Sequence, residues 1–158
     1  MGYTRMAARA VFAMAVAMII FGSTADAATI KCSEMQKYRQ EVAKILLEHE
    51  DTYEALGEVS ESENGLLTMT PRELETLGKG LLDVADDLED YTPPASAKPY
   101  HKAFTESMAL LGNFFLTAAD AGVMTSAVLY ADAIEKSDTE FDRRTADVER
   151  ACPNWTDN

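Results

Sequence analysis

Thr70 to Tyr91 reads TPRELETLGKGLLDVADDLEDY, and this stretch decides the fold class. Thr70 is placed as an N-cap, Pro71 as the first helical residue and Glu73 as the N3 acid that completes a capping box. Leu74, Leu77, Leu81, Val84, Leu88 and Tyr91 then follow in steps of three and four. That spacing turns one helix face toward a partner. Thr92-Pro93-Pro94 ends the run, because proline lacks an amide proton and keeps the residue before it extended. The prediction is an amphipathic helix over 71–91.

Three more segments on either side carry the same period, and strand signals are absent. The first, predicted over 33–59, aligns Met35, Tyr38, Val42, Ile45, His49, Tyr53, Leu56 and Val59, with Leu46 and Thr52 beside the stripe. Asn64-Gly65 then marks a turn. The third, over 97–120, turns His101, Phe104, Met108, Leu111, Phe115 and Ala118 inward, and Gly122 reads as the stop beyond it. The fourth, over 124–151, presents Ala127, Tyr130, Ile134, Ser137, Phe141, Val148 and Cys152, and Pro153 closes it.

Four such helices joined by short links predict an all-α, antiparallel up-down-up-down four-helix bundle. In that topology the start of the first helix and the end of the fourth share one end of the bundle. Cys32 and Cys152, the two cysteines of the chain, fall at those places, so a disulfide between them is predicted. Trp155 is expected to cap the same end. Asn154-Trp155-Thr156 also forms a glycosylation sequon, a three-residue pattern that chance supplies often.

The first 27 residues read as a cleavable export signal. Arg5 and Arg9 precede an uncharged run from Ala10 to Gly22, and Ala25-Asp26-Ala27 is a site that signal peptidase accepts. The run is short of the roughly 20 apolar residues a membrane span needs. Cleavage after Ala27 predicts a periplasmic or secreted domain over 28–158, a location that favours disulfides. Of the 158 residues, 14 are Lys or Arg and 27 are Asp or Glu, a net charge of −13. Cleavage would remove two Arg and one Asp and make it −14. Such a surface repels nucleic acid and anionic lipid, so the expected partner is a protein or a small molecule.

Motifs for catalysis are missing. Reading back three residues from His49 and His101 gives Leu46 and Lys98, so the Glu-x-x-His pair of di-iron bundles is absent. His49-Glu50 lacks the second histidine of a zincin. No nucleophile motif or glycine-rich phosphate loop occurs. The expectation is a non-enzyme with no resident cofactor. The alternatives are an enzyme of unassigned type and a carrier that holds haem or a metal in the bundle core through Met35, His49 or His101. Helical rise separates His49 and His101 by on the order of 20 Å along the bundle, too far to share one ion. Asp83, Asp86, Asp87 and Asp90 form an acidic face on the second helix, read as solvated, with loose calcium binding or a basic partner as the alternative.

The Pro93-Pro94 link, the aromatic-rich helix after it and Ala119 to Gly122 resemble the second half of cytochrome b562. That likeness implies an exported four-helix bundle with a core haem. The chain departs from it where that family has its haem histidine, since Phe141-Asp142-Arg143-Arg144 stands there. Pro93-Pro94, His101 and the helices from Ala97 to Ala151 are also similar to small exported bacterial helical-bundle proteins of unknown function. This second resemblance implies a fold and an address, and no activity.

Overall fold

The computed structural model describes residues 30–61 and 65–155. The predicted export signal and Thr156 of the sequon lie outside them. The described residues are all-helical and contain no strand. In chain order the α-helices are α1 (Cys32–Glu48), α2 (Glu50–Glu61), α3 (Gly65–Thr68), α4 (Pro71–Asp90), α5 (Lys98–Ala121) and α6 (Val123–Ala151), with a 3-10 turn at Ala95–Ala97 before α5.

The predicted capping box is present. The Glu73 amide donates to Thr70 Oγ1 at 3.3 Å, and the Thr70 amide donates to Glu73 Oε2 at 2.7 Å. The fitted Pro71 completes this start to α4. Its Leu74, Leu77, Leu81, Val84 and Leu88 are all buried, as the stripe required. The α5–α6 junction falls at Gly122, which takes φ +87, a conformation side chains with a Cβ adopt at a cost. The capping amide of Gly122 donates back to Ala118, so α5 closes in the expected way.

The first predicted helix and the turn after it differ from the structure: α2 continues to Glu61, Asn64 lies outside the described residues, and Gly65 opens α3. The helix expected to run unbroken over 33–59 divides at His49, whose φ −115 and ψ 29 leave the helical region. No proline or glycine marks the place. The restart is locally favourable, because the His49 carbonyl accepts from the Thr52 and Tyr53 amides at 3.0 and 3.3 Å. Glu50 and Asp51 also lie in the first turn of α2, where the helix dipole favours negative charge.

One hydrophobic core joins all these elements, with Met35, Tyr38, Leu81, Val84, Leu88, Leu111, Phe114, Phe115 and Val148 fully enclosed. α5 packs closely against both α4 and α6. The α4–α5 crossing is tight because glycines face each other there. A Cβ on Gly78 would lie 2.9 Å from the Gly112 carbonyl oxygen and 2.9 Å from the Leu116 amide nitrogen. On the α5–α6 side, Ser126 donates to the Phe114 carbonyl at 2.7 Å, and the Ser107 and Ser137 hydroxyls pair at 2.7 Å. The buried Ser107 and Ser126 hydroxyls are thereby satisfied, and the bonds offset the cost of desolvating them.

Cys32 and Cys152 are bonded, with their Cα atoms 5.5 Å apart across 120 residues of sequence. Trp155 covers this end, buried and edge-on to Tyr100 with ring centroids 5.5 Å apart. Its carbonyl accepts from Arg39 Nη1 at 2.6 Å. No helix among the described residues is long and apolar enough to cross a membrane.

Candidate functional site

The residues singled out by sequence separate into three places. Met35 and His101 lie in the core near the disulfide, His49 sits on the acidic face, and Cys32 and Cys152 form the bridge itself.

His101 is buried at the start of α5, where Tyr38 from α1 and Tyr91 after α4 stand edge-on to its ring at 5.6 and 5.8 Å between centroids. The Tyr38 hydroxyl and His101 Nδ1 are 3.2 Å apart. Burial holds the imidazole below its ordinary range, opposed in part by a hydrogen bond to the Leu88 backbone. The tautomer of the ring sets which of the two groups donates in the Tyr38–His101 contact. Burial also pushes the Tyr38 phenol far above its usual range, with Tyr100 and Tyr91 adding to the effect. Tyr38 therefore stays a neutral phenol at physiological pH, and its contact with His101 ties α1 to α5.

This environment does not fit a haem. Met35 is fully enclosed in the core, and a macrocycle on His101 would have to displace Tyr38 and Tyr91, which pack against its ring. Among the described residues, no group of three or more His, Cys, Asp or Glu side chains is arranged to hold a metal ion.

His49 has a partner that periodicity did not reveal. Its Nε2 lies 2.7 Å from Asp87 Oδ2, so the helix break at His49 and the acidic face of α4 meet in one contact. Asp83, Asp86, Asp87 and Asp90 are all exposed. Of these, Asp87 is tied to α1 through His49, which the reading of a wholly solvated face missed.

A concave feature lies elsewhere, between α2, α3 and α4. It is a cleft of about 540 Å³, within the range of small-molecule sites. The α2 wall carries Asp51, Thr52, Ala55, Glu58 and Val59, which share one helix face by their spacing. The α4 wall supplies Arg72, Glu73, Thr76 and Leu77, and Gly65, Thr68 and Met69 close the end. Val59 and Leu77 are buried at its base, whereas Asp51, Glu58 and Arg72 are exposed. Glu73 serves the capping box, which also holds its carboxyl below the usual range through the Thr70 backbone and hydroxyl.

Sequence reasoning passed over this cleft because its residues form no linear motif. One signal was available: from Ile45 to Pro71 the chain has seven Asp and Glu and no Lys or Arg. Such segregation of charge puts an unbalanced acidic wall on α2. No protein family's model, no curated protein and no solved structure matches this chain.

Proposed function

We propose that this chain is an exported, non-catalytic binding protein. In this reading residues 1–27 are removed. The remainder folds as an up-down-up-down four-helix bundle whose arms are α1 with α2, α4, α5 and α6. It acts in the periplasm or outside the cell by holding a protein or small-molecule partner. The four-arm topology is supported by the disulfide, which joins the first arm's start to the last arm's end at 5.5 Å between Cα atoms. An even number of antiparallel arms has that consequence. The bridge likewise supports an oxidising compartment.

The observation that carries a binding role is the cleft between α2, α3 and α4. It pairs an apolar base with exposed charge on its walls, as small-molecule sites do. The engagement of His101 by Tyr38 and of His49 by Asp87 favours binding over a carrier that uses those imidazoles as ligands.

The test is to express the full chain in a Gram-negative host and take native and denaturing mass spectra of the periplasmic fraction. The expected species lacks residues 1–27, is lighter by two hydrogens than its reduced form, and carries an adduct or a co-purifying partner. An intact, reduced precursor retained in the cytoplasm would overturn the proposal of export. A turnover activity abolished by single substitutions at the cleft would overturn the non-catalytic part.

A further inference from the structure

We infer that the cleft between α2, α3 and α4 binds a linear aliphatic polyamine, lying along α2 with its ammonium groups on Asp51 and Glu58. The inference rests on the binding role proposed above and assigns it a ligand class.

Charge selects the sign of the ligand. Three carboxylates line the cleft, from Asp51, Glu58 and Glu73, against the single guanidinium of Arg72. The whole segment that supplies the α2 wall has no basic residue. An anion would meet a net negative field, so the occupant is cationic.

Spacing selects its shape. Asp51 and Glu58 are seven residues apart on one helix, which separates them by about 10 Å along the axis. One metal ion cannot bridge that gap, since its oxygen ligands must all lie within about 2.6 Å of it. Two ammonium groups on an extended chain can. A fully extended triamine has a matching length.

The surface between the two acids selects the body of the ligand. Ala55 lies midway between Asp51 and Glu58, and Val59 and Leu77 form the buried base. Methylene groups lying there leave water while the ammonium ends keep their charge partners, the arrangement long amphipathic cations adopt on proteins. Arg72 stands opposite as a like charge, so it tempers affinity rather than supplying it.

Isothermal titration calorimetry of the disulfide-bonded protein with spermidine, at low ionic strength, tests this directly. One site per chain is expected. Asp51→Asn and Glu58→Gln should each weaken it by roughly threefold, the scale of an exposed ion pair, and together by about tenfold. Arg72→Gln should tighten binding. Asp83→Asn/Asp86→Asn, on the part of α4 outside the cleft, should leave it unchanged. Butylamine, with one ammonium group, should bind more weakly than spermidine. Circular dichroism of each variant verifies that the fold is retained.

Equal weakening by the two double variants would mean diffuse counterion attraction to an acidic protein and would overturn the inference. So would spermidine binding that is absent, or unaffected by loss of Asp51 and Glu58. A failed titration would leave the adduct and partner expected in the periplasmic mass spectrum untouched, so the two readings fail separately.

Discussion

The same substitution, glycine to alanine, should change stability in opposite directions at two helical positions. Within a helix, alanine is favoured over glycine by about 1 kcal/mol. At Gly57 in α2 nothing lies within 4 Å of the added Cβ, so the gain is unopposed. Gly57→Ala should therefore stabilise by about 0.5–1 kcal/mol. At Gly78 in α4 the new Cβ would sit 2.9 Å from the Gly112 carbonyl oxygen and 2.9 Å from the Leu116 amide nitrogen. Both are backbone atoms of α5, so no rotamer change removes the conflict and the two helices must separate. Overpacking of this kind costs about 1–3 kcal/mol, and an obstacle of two backbone atoms puts Gly78 toward the upper end. Offset by the propensity gain, Gly78→Ala should destabilise by about 1–2 kcal/mol. A domain of this size shifts its Tm by roughly 3–4 °C per kcal/mol. Thermal melts of the disulfide-bonded variants followed at 222 nm should place them about 5–12 °C apart, on either side of the parent. Two increases in Tm would refute the tight α4–α5 crossing and with it the arrangement of the core.

Three further outcomes follow from the same structure. Reducing the Cys32–Cys152 bridge reopens a loop spanning 120 residues of sequence; the chain-entropy value of about 4–5 kcal/mol predicts a large fall in Tm with helicity retained at 25 °C. Loss of helix on reduction at 25 °C would show that the core cannot hold the fold alone. Leu81 is fully buried whereas Asp86 is exposed, so Leu81→Asp should cost more than about 4 kcal/mol and Asp86→Ala under about 0.5 kcal/mol. Equal urea midpoints for the two would contradict the register of α4. Burial, with Asp142 adding, raises the Asp138 carboxyl from its ordinary 3.8 to about 6, and its Oδ1 is buried without a hydrogen-bond partner. The folded chain then holds this proton more tightly than the unfolded one, so this group's contribution to stability is present below about pH 4 and is lost as the pH rises to about 6. Asp138→Asn should be more stable than the parent at pH 7, and the advantage should shrink toward pH 4; urea midpoints that stay parallel across that range would exclude the effect.

What the sequence made legible was whatever a single helix expresses through its own period. The stripe from Leu74 to Leu88, the Thr70 capping box and the stop at Gly122 are local, and the structure places each of them as read. The disulfide was legible for a global reason, because the predicted even number of antiparallel arms would bring Cys32 and Cys152 to one end. The pairing of His49 with Asp87 was not, since it joins residues 38 apart whose separate readings were a stripe residue and a solvated acid. The Tyr38–His101 pair was hidden in the same way. Each member sits on an expected apolar stripe, and only the packing of α1 with α5 turns those positions into a hydrogen-bonded pair.

The cleft shows why the candidate site was harder to read than the fold. Its α2 wall runs between Thr52 and Val59, and each of these residues is held against a glycine. Gly80 of α4 has no room for a Cβ because Thr52 occupies that space, and Gly65 has none because of the Val59 backbone. In a sequence, Gly80 reads as a weak spot within a helix and Gly65 as half of a turn. In the fold both are points of close approach that clamp α2 at either end of the cleft, while Ala55 between them offers too small a side chain to fill it. The break at His49 belongs to the same arrangement, since it lies three residues before Thr52 and is tied to α4 through Asp87. A long uninterrupted helix would pack by its stripe alone. Dividing it at His49 lets α2 take its position from Thr52–Gly80 and Val59–Gly65, and the acidic residues Asp51 and Glu58 come to line the cleft those contacts bound.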